Sequence, residues 1–387
     1  MREKTRARPR KSGSPNLSLI WAPLALLLCC APRQGDAPRE GLLGRPQAIL
    51  WLDERRLLVT DSGYTPSEWA PGRLLMIDWQ SGQIKAQETG ALNPQALALD
   101  ERWVYLLNSG PLDLSQDPPT SGIASLQRAP IDDPLALSTL FELPPAAAES
   151  IDFPTSLLLE TEALYLGSGL HPALLRFELN AGDVLSTNPI VISLPSSDDP
   201  EALGLVSGVR WKRRSLWVDF NSDRLGIVEA DGRAWSCSLP LGRFPDALEG
   251  AQSPLVVGKH LYYLLALSGE LRRLDLQTLS EQATGDCDAA PSEALGPPLG
   301  QVPQALIFDG EALLILDSLD HWIERRNTES GELLSRWPLP AGSNPWSISL
   351  SPTGAHLAVS AWASGALLIL DAKSGALLKE IGQPAEG

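Results

Sequence analysis

Near the C-terminus the chain reads Asn344-Pro345-Trp346-Ser347-Ile348-Ser349-Leu350, then Ser351-Pro352-Thr353-Gly354, then His356-Leu357-Ala358-Val359-Ser360. It continues Ala366-Leu367-Leu368-Ile369-Leu370-Asp371, Lys373-Ser374-Gly375 and Ala376-Leu377-Leu378-Lys379-Glu380-Ile381. Four short apolar runs are separated by Pro, Gly, Ser and Asp clusters, which is the pattern of strands joined by tight turns. A Pro opens the first run. The second and third runs are nearly continuous in apolar residues, as expected of strands covered on both faces. Asp371 ahead of Ser374-Gly375 has a mechanism: its carboxylate accepts backbone N–H groups further on, and Gly supplies the positive φ.

The same order recurs upstream. Arg45-Pro46-Gln47-Ala48-Ile49-Leu50 is followed by Leu57-Leu58-Val59-Thr60-Asp61-Ser62-Gly63 and Leu74-Leu75-Met76-Ile77-Asp78. Asn93-Pro94-Gln95-Ala96-Leu97-Ala98-Leu99 is followed by Val104-Tyr105-Leu106-Leu107-Asn108-Ser109-Gly110. Val302-Pro303-Gln304-Ala305-Leu306-Ile307 is followed by Leu313-Leu314-Ile315-Leu316-Asp317-Ser318. Further units open at Phe153-Pro154 and Ser253-Pro254, and the faintest lies near Leu203–Gly242, with Ser215-Leu216-Trp217-Val218 as its second strand. No stretch of helical length keeps a 3.6-residue apolar period. Units of four strands repeating every 40–50 residues or so are propeller blades. The expectation is an all-β, seven-bladed β-propeller of four-stranded antiparallel blades over 45–382, with a C-terminal tail at 383–387.

This grammar resembles the YVTN-repeat β-propeller family. Gly342-Ser343-Asn344-Pro345-Trp346, Ser351-Pro352-Thr353-Gly354 and Leu367-Leu368-Ile369-Leu370-Asp371 followed by Ser374-Gly375 carry the likeness. The resemblance is strongest in the seventh repeat and thinnest in the third to fifth. It implies a scaffold and no particular reaction.

The chain opens with Arg2, Lys4, Arg6, Arg8, Arg10 and Lys11 against Glu3, so the rest of the protein is more acidic than the net charge of −16 suggests. An acidic body repels nucleic acid and anionic headgroups, so no nucleic-acid partner is expected. The basic start runs into the apolar stretch Leu17–Leu28, too short to span a bilayer and arranged like a secretory signal. Leu27-Leu28-Cys29-Cys30 resembles a bacterial lipobox with Leu three residues before the acceptor. Cys30 is therefore the expected lipidation site, with Cys29 the lesser choice. Residues 1–29 read as the signal and 30–44 as a tether. The protein is expected to be exported and held on the membrane through its lipid, with periplasmic or secreted release as the alternative. Cys237 and Cys287 stand one repeat apart, and a disulfide or a free pair is open.

The chemistry visible in the sequence is sparse. His171, His260, His321 and His356 fall in different repeats without metal-ligand spacing. No nucleophile elbow, phosphate loop, haem attachment or zincin motif occurs. No metal and no cofactor is expected. The channel-facing positions of the first strands, Gln47, Gln95, Thr155 and Gln304, are neutral and poor bases. The blade-to-blade and second-to-third-strand loops share one face, where Asp61, Tyr64, Trp69, His171, Asp223, Trp322 and Trp362 form the candidate binding surface. The longest loops are 61–72 and 108–122. The favoured expectation is a non-enzymatic envelope scaffold that binds a protein or cell-wall ligand there. The alternative is a lactonase-like or lyase-like propeller enzyme with its site at the central channel.

Overall fold

The computed structural model describes residues 43–64, 69–113, 120–143, 153–179, 189–194, 206–239, 248–281 and 292–382. They form seven four-stranded antiparallel sheets, each contiguous in sequence. The innermost strands are Pro46–Trp51, Pro94–Leu99, Pro154–Leu159, Val206–Trp211, Ala251–Val257, Pro303–Phe308 and Pro345–Leu350. Each touches the next, and the last returns to the first, closing the ring of a seven-bladed β-propeller. The described helix is short, Leu276–Glu281 at the end of the third strand of blade 5.

The apolar runs explain the closure. Second strands such as Ala312–Asp317 and Ala163–Ser168 are buried along their whole length, because a neighbouring blade covers each face. Every seam between blades holds its own apolar cluster. Leu216, Val218, Leu261 and Tyr263 fill the seam of blades 4 and 5, and Leu316, Ile323, Val359 and Leu368 fill that of blades 6 and 7. Blades 7 and 1 meet through Leu43, Ile49, Leu57, Ala358 and Leu367. The outer strands pack on one side only, and Leu333, Leu334, Leu377 and Leu378 stay exposed there.

Blade openings at 46, 94, 154, 303 and 345 fall where the sequence puts them. Blade 5 differs. Its inner strand starts at Ala251, and Ser253-Pro254 lies inside it, within a register shift between Gln252 and Leu255. Similar shifts follow the opening Pro in blades 1, 2, 3, 6 and 7, and blade 4, which opens on Val206 without a Pro, has none. Each shift falls at or beside the second residue of the strand and interrupts the regular ladder there.

The second and third strands of blade 1 extend into a hairpin arm in which Gly63 pairs with Ala70 and Tyr64 with Trp69, so most of 61–72 is strand rather than loop. In blade 2 the long connection carries a small ribbon pairing Leu112 with Ser121 and Asp113 with Thr120.

Candidate functional site

In blade 1 the register pairs Pro46 with Asp61 and Asp61 with Arg73. The start of an inner strand, the end of the second and the start of the third therefore share one end of the blade. All seven inner strands begin on this side, here called the mouth face. The far face carries the first-to-second and third-to-fourth strand turns.

Every seam has a polar tie on the mouth face. Gln47 Nε2 donates to Asn93 Oδ1 (3.4 Å), Ser109 Oγ to the Pro154 carbonyl (2.5 Å) and Ser156 Oγ to the Val206 carbonyl (2.6 Å). Gln252 Nε2 donates to the Pro303 carbonyl (2.7 Å) and Ser318 Oγ to the Pro345 carbonyl (2.5 Å). Arg45 closes the ring, donating to the carbonyls of Trp362 and Ala363 (both 3.2 Å) with its guanidinium 4.5 Å from the Trp362 ring. Between blades 4 and 5 the tie is Asp223, which accepts the backbone N–H groups of Glu249 (2.7 Å) and Ala251 (2.9 Å).

The mouth-face carboxylates hold loops together. Asp61 accepts the N–H groups of Gly44 and Arg45 and pairs with Arg73. Asp317 accepts those of Val302 (3.0 Å) and Asp320 (2.7 Å). Loop and carboxylate approach so closely that a Cβ on Gly300 would lie 2.4 Å from Asp317 Oδ2, which is why glycine stands there. Burial sets the ionisation of these groups. It pushes Asp223 up to about 6, aided by the Glu249 charge and opposed by the backbone N–H groups of Glu249, Ala251 and Gly250. It also raises Asp317, again against its backbone donors, with the Asp320 charge adding to the rise.

Neutral amides gather at the seam of blades 1 and 2. Asn93 Oδ1 accepts from both Gln47 and Gln95, the latter at 2.9 Å. Gln47 Oε1, Asn93 Nδ2 and Ser62 Oγ are buried there without hydrogen-bond partners, on residues exposed by 3%, 2% and 2%. Asn93 reaches this arrangement with φ of 58°, a conformation Asn tolerates better than most residues. Among the described residues no three His, Cys, Asp or Glu side chains converge as a metal site.

The face expected from sequence divides by exposure. His171 is exposed and Trp322 half-buried, with Arg336 4.0 Å from its ring. Asp61, Asp223 and Trp362 are buried, Trp362 at 3% exposure beneath Arg45, so they brace the face. Tyr64 and Trp69 pair at the tip of the blade 1 arm, on the mouth side of Asp61. Cys237 is buried and disulfide-bonded. Cys287, Cys29 and Cys30 lie outside the described residues. In the sequence Trp346 reads only as part of the seventh repeat. It stands in register with Gln95 and Gln304, each directly after its opening Pro, and that alignment was the signal that could have found it.

No family model matches the chain, and no curated protein matches it. Solved structures do. A candidate 6-phosphogluconolactonase from Bacteroides uniformis is 15% identical, with 85% of this chain and 97% of that one covered at a TM-score of 0.61. The periplasmic gluconolactonase of Pseudomonas aeruginosa is 17% identical, with 88% and 96% covered at 0.57. Virginiamycin B lyase from Staphylococcus aureus is 13% identical, with 76% and 85% covered at 0.54. Likeness at this identity shows the fold. The names correct one expectation, however. They are those of lactonases and a lyase, which overturns the preference for a non-enzymatic scaffold and favours the enzymatic alternative. No described helix is long and apolar enough to cross a membrane.

Proposed function

We propose that the protein is a propeller enzyme of lactonase or lyase type, working at the mouth of the ring with Asp223 as its base. The carrying observation is the setting of Asp223. It is buried where the fourth blade's turn meets the inner strand of the fifth, fixed by two backbone N–H groups, with its ionisation raised to about 6. A base of that strength is mostly ionised at neutral pH yet retains driving force for proton transfer. In lactone hydrolysis the carboxylate takes a proton from water as the oxygen adds to the carbonyl carbon. The ring C–O bond then breaks, and the leaving oxygen receives the proton. In elimination the carboxylate removes a carbon-bound proton, the C–O bond breaks, and no water is added. The matched lactonases and lyase support this pair of reactions over others.

The test is an assay of the purified full chain against a panel of sugar lactones and cyclic esters, with products weighed by mass spectrometry. Gain of one water marks hydrolysis, and ring opening at unchanged mass marks elimination. Absence of turnover across the panel at pH 5–9 counts against the enzymatic reading.

The finer sequence expectations join the proposal. The repeats are of YVTN type, and Cys30 carries a lipid that holds the exported propeller on a membrane. Cys30→Ala should move the protein into the soluble fraction, and continued membrane association would refute the anchor. A protein or cell-wall component supplying the substrate would meet the mouth face near His171 and Trp322.

A further inference from the structure

The geometry points to the substrate class: an uncharged, hydroxyl-bearing ring, stacked on Trp346 and held by the rim amides. This deepens the enzymatic reading and rests on it for placing chemistry at the mouth.

Trp346 is the anomaly among the described tryptophans. Trp51, Trp217 and Trp337 lie in seam clusters, and Trp322 and Trp362 lie against Arg336 and Arg45. Trp346 joins no seam cluster, although it sits between Pro345 and Ser347 at the register shift near the start of its strand. It is half-buried, near the mouth end of its strand, rather than sealed in a seam. A large apolar ring left there suits stacking against the C–H face of a flat or puckered ring.

Its neighbours around the rim are neutral. The inner strands of blades 6, 7, 1 and 2 are consecutive, and they place Gln304, Trp346, Gln47 and Gln95 in an arc. Amides offer both donors and acceptors, which matches hydroxyl and ring oxygens. At one end of the arc the buried Gln47 Oε1 and Asn93 Nδ2, an acceptor and a donor, have no protein partner. An anionic ring would need a cation instead. Among the described residues, Arg45 and Arg73 of blade 1 are committed: Arg45 to the Trp362 and Ala363 carbonyls, and Arg73 to Asp61. Around the mouth Asp223, Asp317 and Glu249 add negative charge that would repel a phosphate.

The probes are methyl β-D-glucopyranoside, glucose 6-phosphate and glucuronate, titrated into the full chain by calorimetry and tryptophan fluorescence. The neutral glycoside should bind about 10-fold or more tighter than either anion, a gap of about 1.4 kcal/mol. Trp346→Ala should weaken it by about 10-fold, and Trp346→Phe by no more than about 3-fold, as expected of stacking. Gln304→Lys should raise affinity for glucose 6-phosphate about 10-fold, and it tests the rim without touching the tryptophan. Equal or tighter binding of glucose 6-phosphate by the native chain overturns the proposal. So does a Trp346→Ala variant with unchanged affinity and fold. Turnover separates the two readings. Neutral-ring binding that depends on Trp346, with no lactone turnover, supports the specificity and defeats the enzyme. Turnover that favours phosphorylated lactones does the reverse.

Discussion

The two faces of this propeller use one residue type to opposite effect. On the far face Asp78, Asp231, Asp275 and Asp371 sit in surface turns, half-buried or exposed, and stay below the usual carboxylate range. Asp78 falls to about 2, through its hydrogen bond from Arg55 and then the Ser81 backbone N–H. Asp371 is lowered by Ser374, and Asp275 and Asp231 chiefly by the backbone N–H groups of Gln277 and Arg233. On the mouth face Asp223 accepts the N–H groups of Glu249 and Ala251 at the entry to the next blade, and Asp317 those of Val302 and Asp320, and both are nevertheless raised. Burial decides the difference. Far-face turns project into water, whereas mouth-face turns are pressed against the blade-to-blade loops. Backbone N–H donors thus hold inert braces on one face and a titratable carboxyl on the other.

The comparison breaks most directly at Asp223 and Asp231, both in turns of blade 4. Asp223→Asn keeps an oxygen for one backbone N–H and removes the base. It should lower kcat by about 100-fold or more, within the range for a general base. Asp231→Asn should leave kcat unchanged. Equal activity of both variants would remove Asp223 from the chemistry.

The pH dependence of stability comes next. Asp223 ionises at about 6 in the folded chain and near the ordinary carboxylate value of 3.8 when unfolded. The folded state therefore holds the proton more tightly, and stability falls as pH rises from about 4 through about 6. The difference between those two values corresponds to about 3 kcal/mol. The stability difference between the native chain and Asp223→Asn, measured by denaturant unfolding, should shrink across that window. A difference independent of pH would show that Asp223 is not raised.

Much of this was legible in sequence, for local reasons. The strands of Asn344–Ile381 follow from apolar runs and turn residues a few positions apart, and so do the mouth positions Gln47, Gln95, Thr155 and Gln304. What was illegible depends on distant chain. Trp362 reads as a loop aromatic, but Arg45, 317 residues away, covers it when the ring closes. The ionisation of Asp223 depends on Glu249 and Ala251, 26 and 28 residues on. Blade 4 was the faintest because Val206 stands where other blades have the opening Pro, and the start of blade 5 was misplaced because Pro254 lies inside its strand.

A third contrast concerns glycine. On the mouth face a Cβ on Gly300 would sit 2.4 Å from Asp317 Oδ2 and 2.6 Å from Asp320 Oδ2. Gly300→Ala must push two carboxylates that hold the loop and should cost about 1–3 kcal/mol, the usual range for overpacking. Far-face Gly232 has φ of 84° and nothing within 4 Å of the added atom. Gly232→Ala therefore carries backbone strain alone, about 1 kcal/mol. Thermal unfolding of the two variants should rank them in that order. The reverse order would mean that the mouth-face loops yield easily.

The smallest effect is expected at Asp78, and it tests whether far-face carboxylates are inert. Asp78 pairs with Arg55 at 2.5 Å, but Arg55 is largely exposed and exposed ion pairs contribute little. Because the folded pKa is depressed to about 2, the stability Asp78 provides is present above about 4 and is lost as pH falls toward 2. Asp78→Asn should lower the melting temperature slightly at pH 7 and not at all at pH 2, and high salt should reduce the difference at pH 7. Turnover should be unaffected at every pH where the protein is folded. A loss of activity in Asp78→Asn would mean that the far face communicates with the mouth, and the division of labour between the two faces would have to be abandoned.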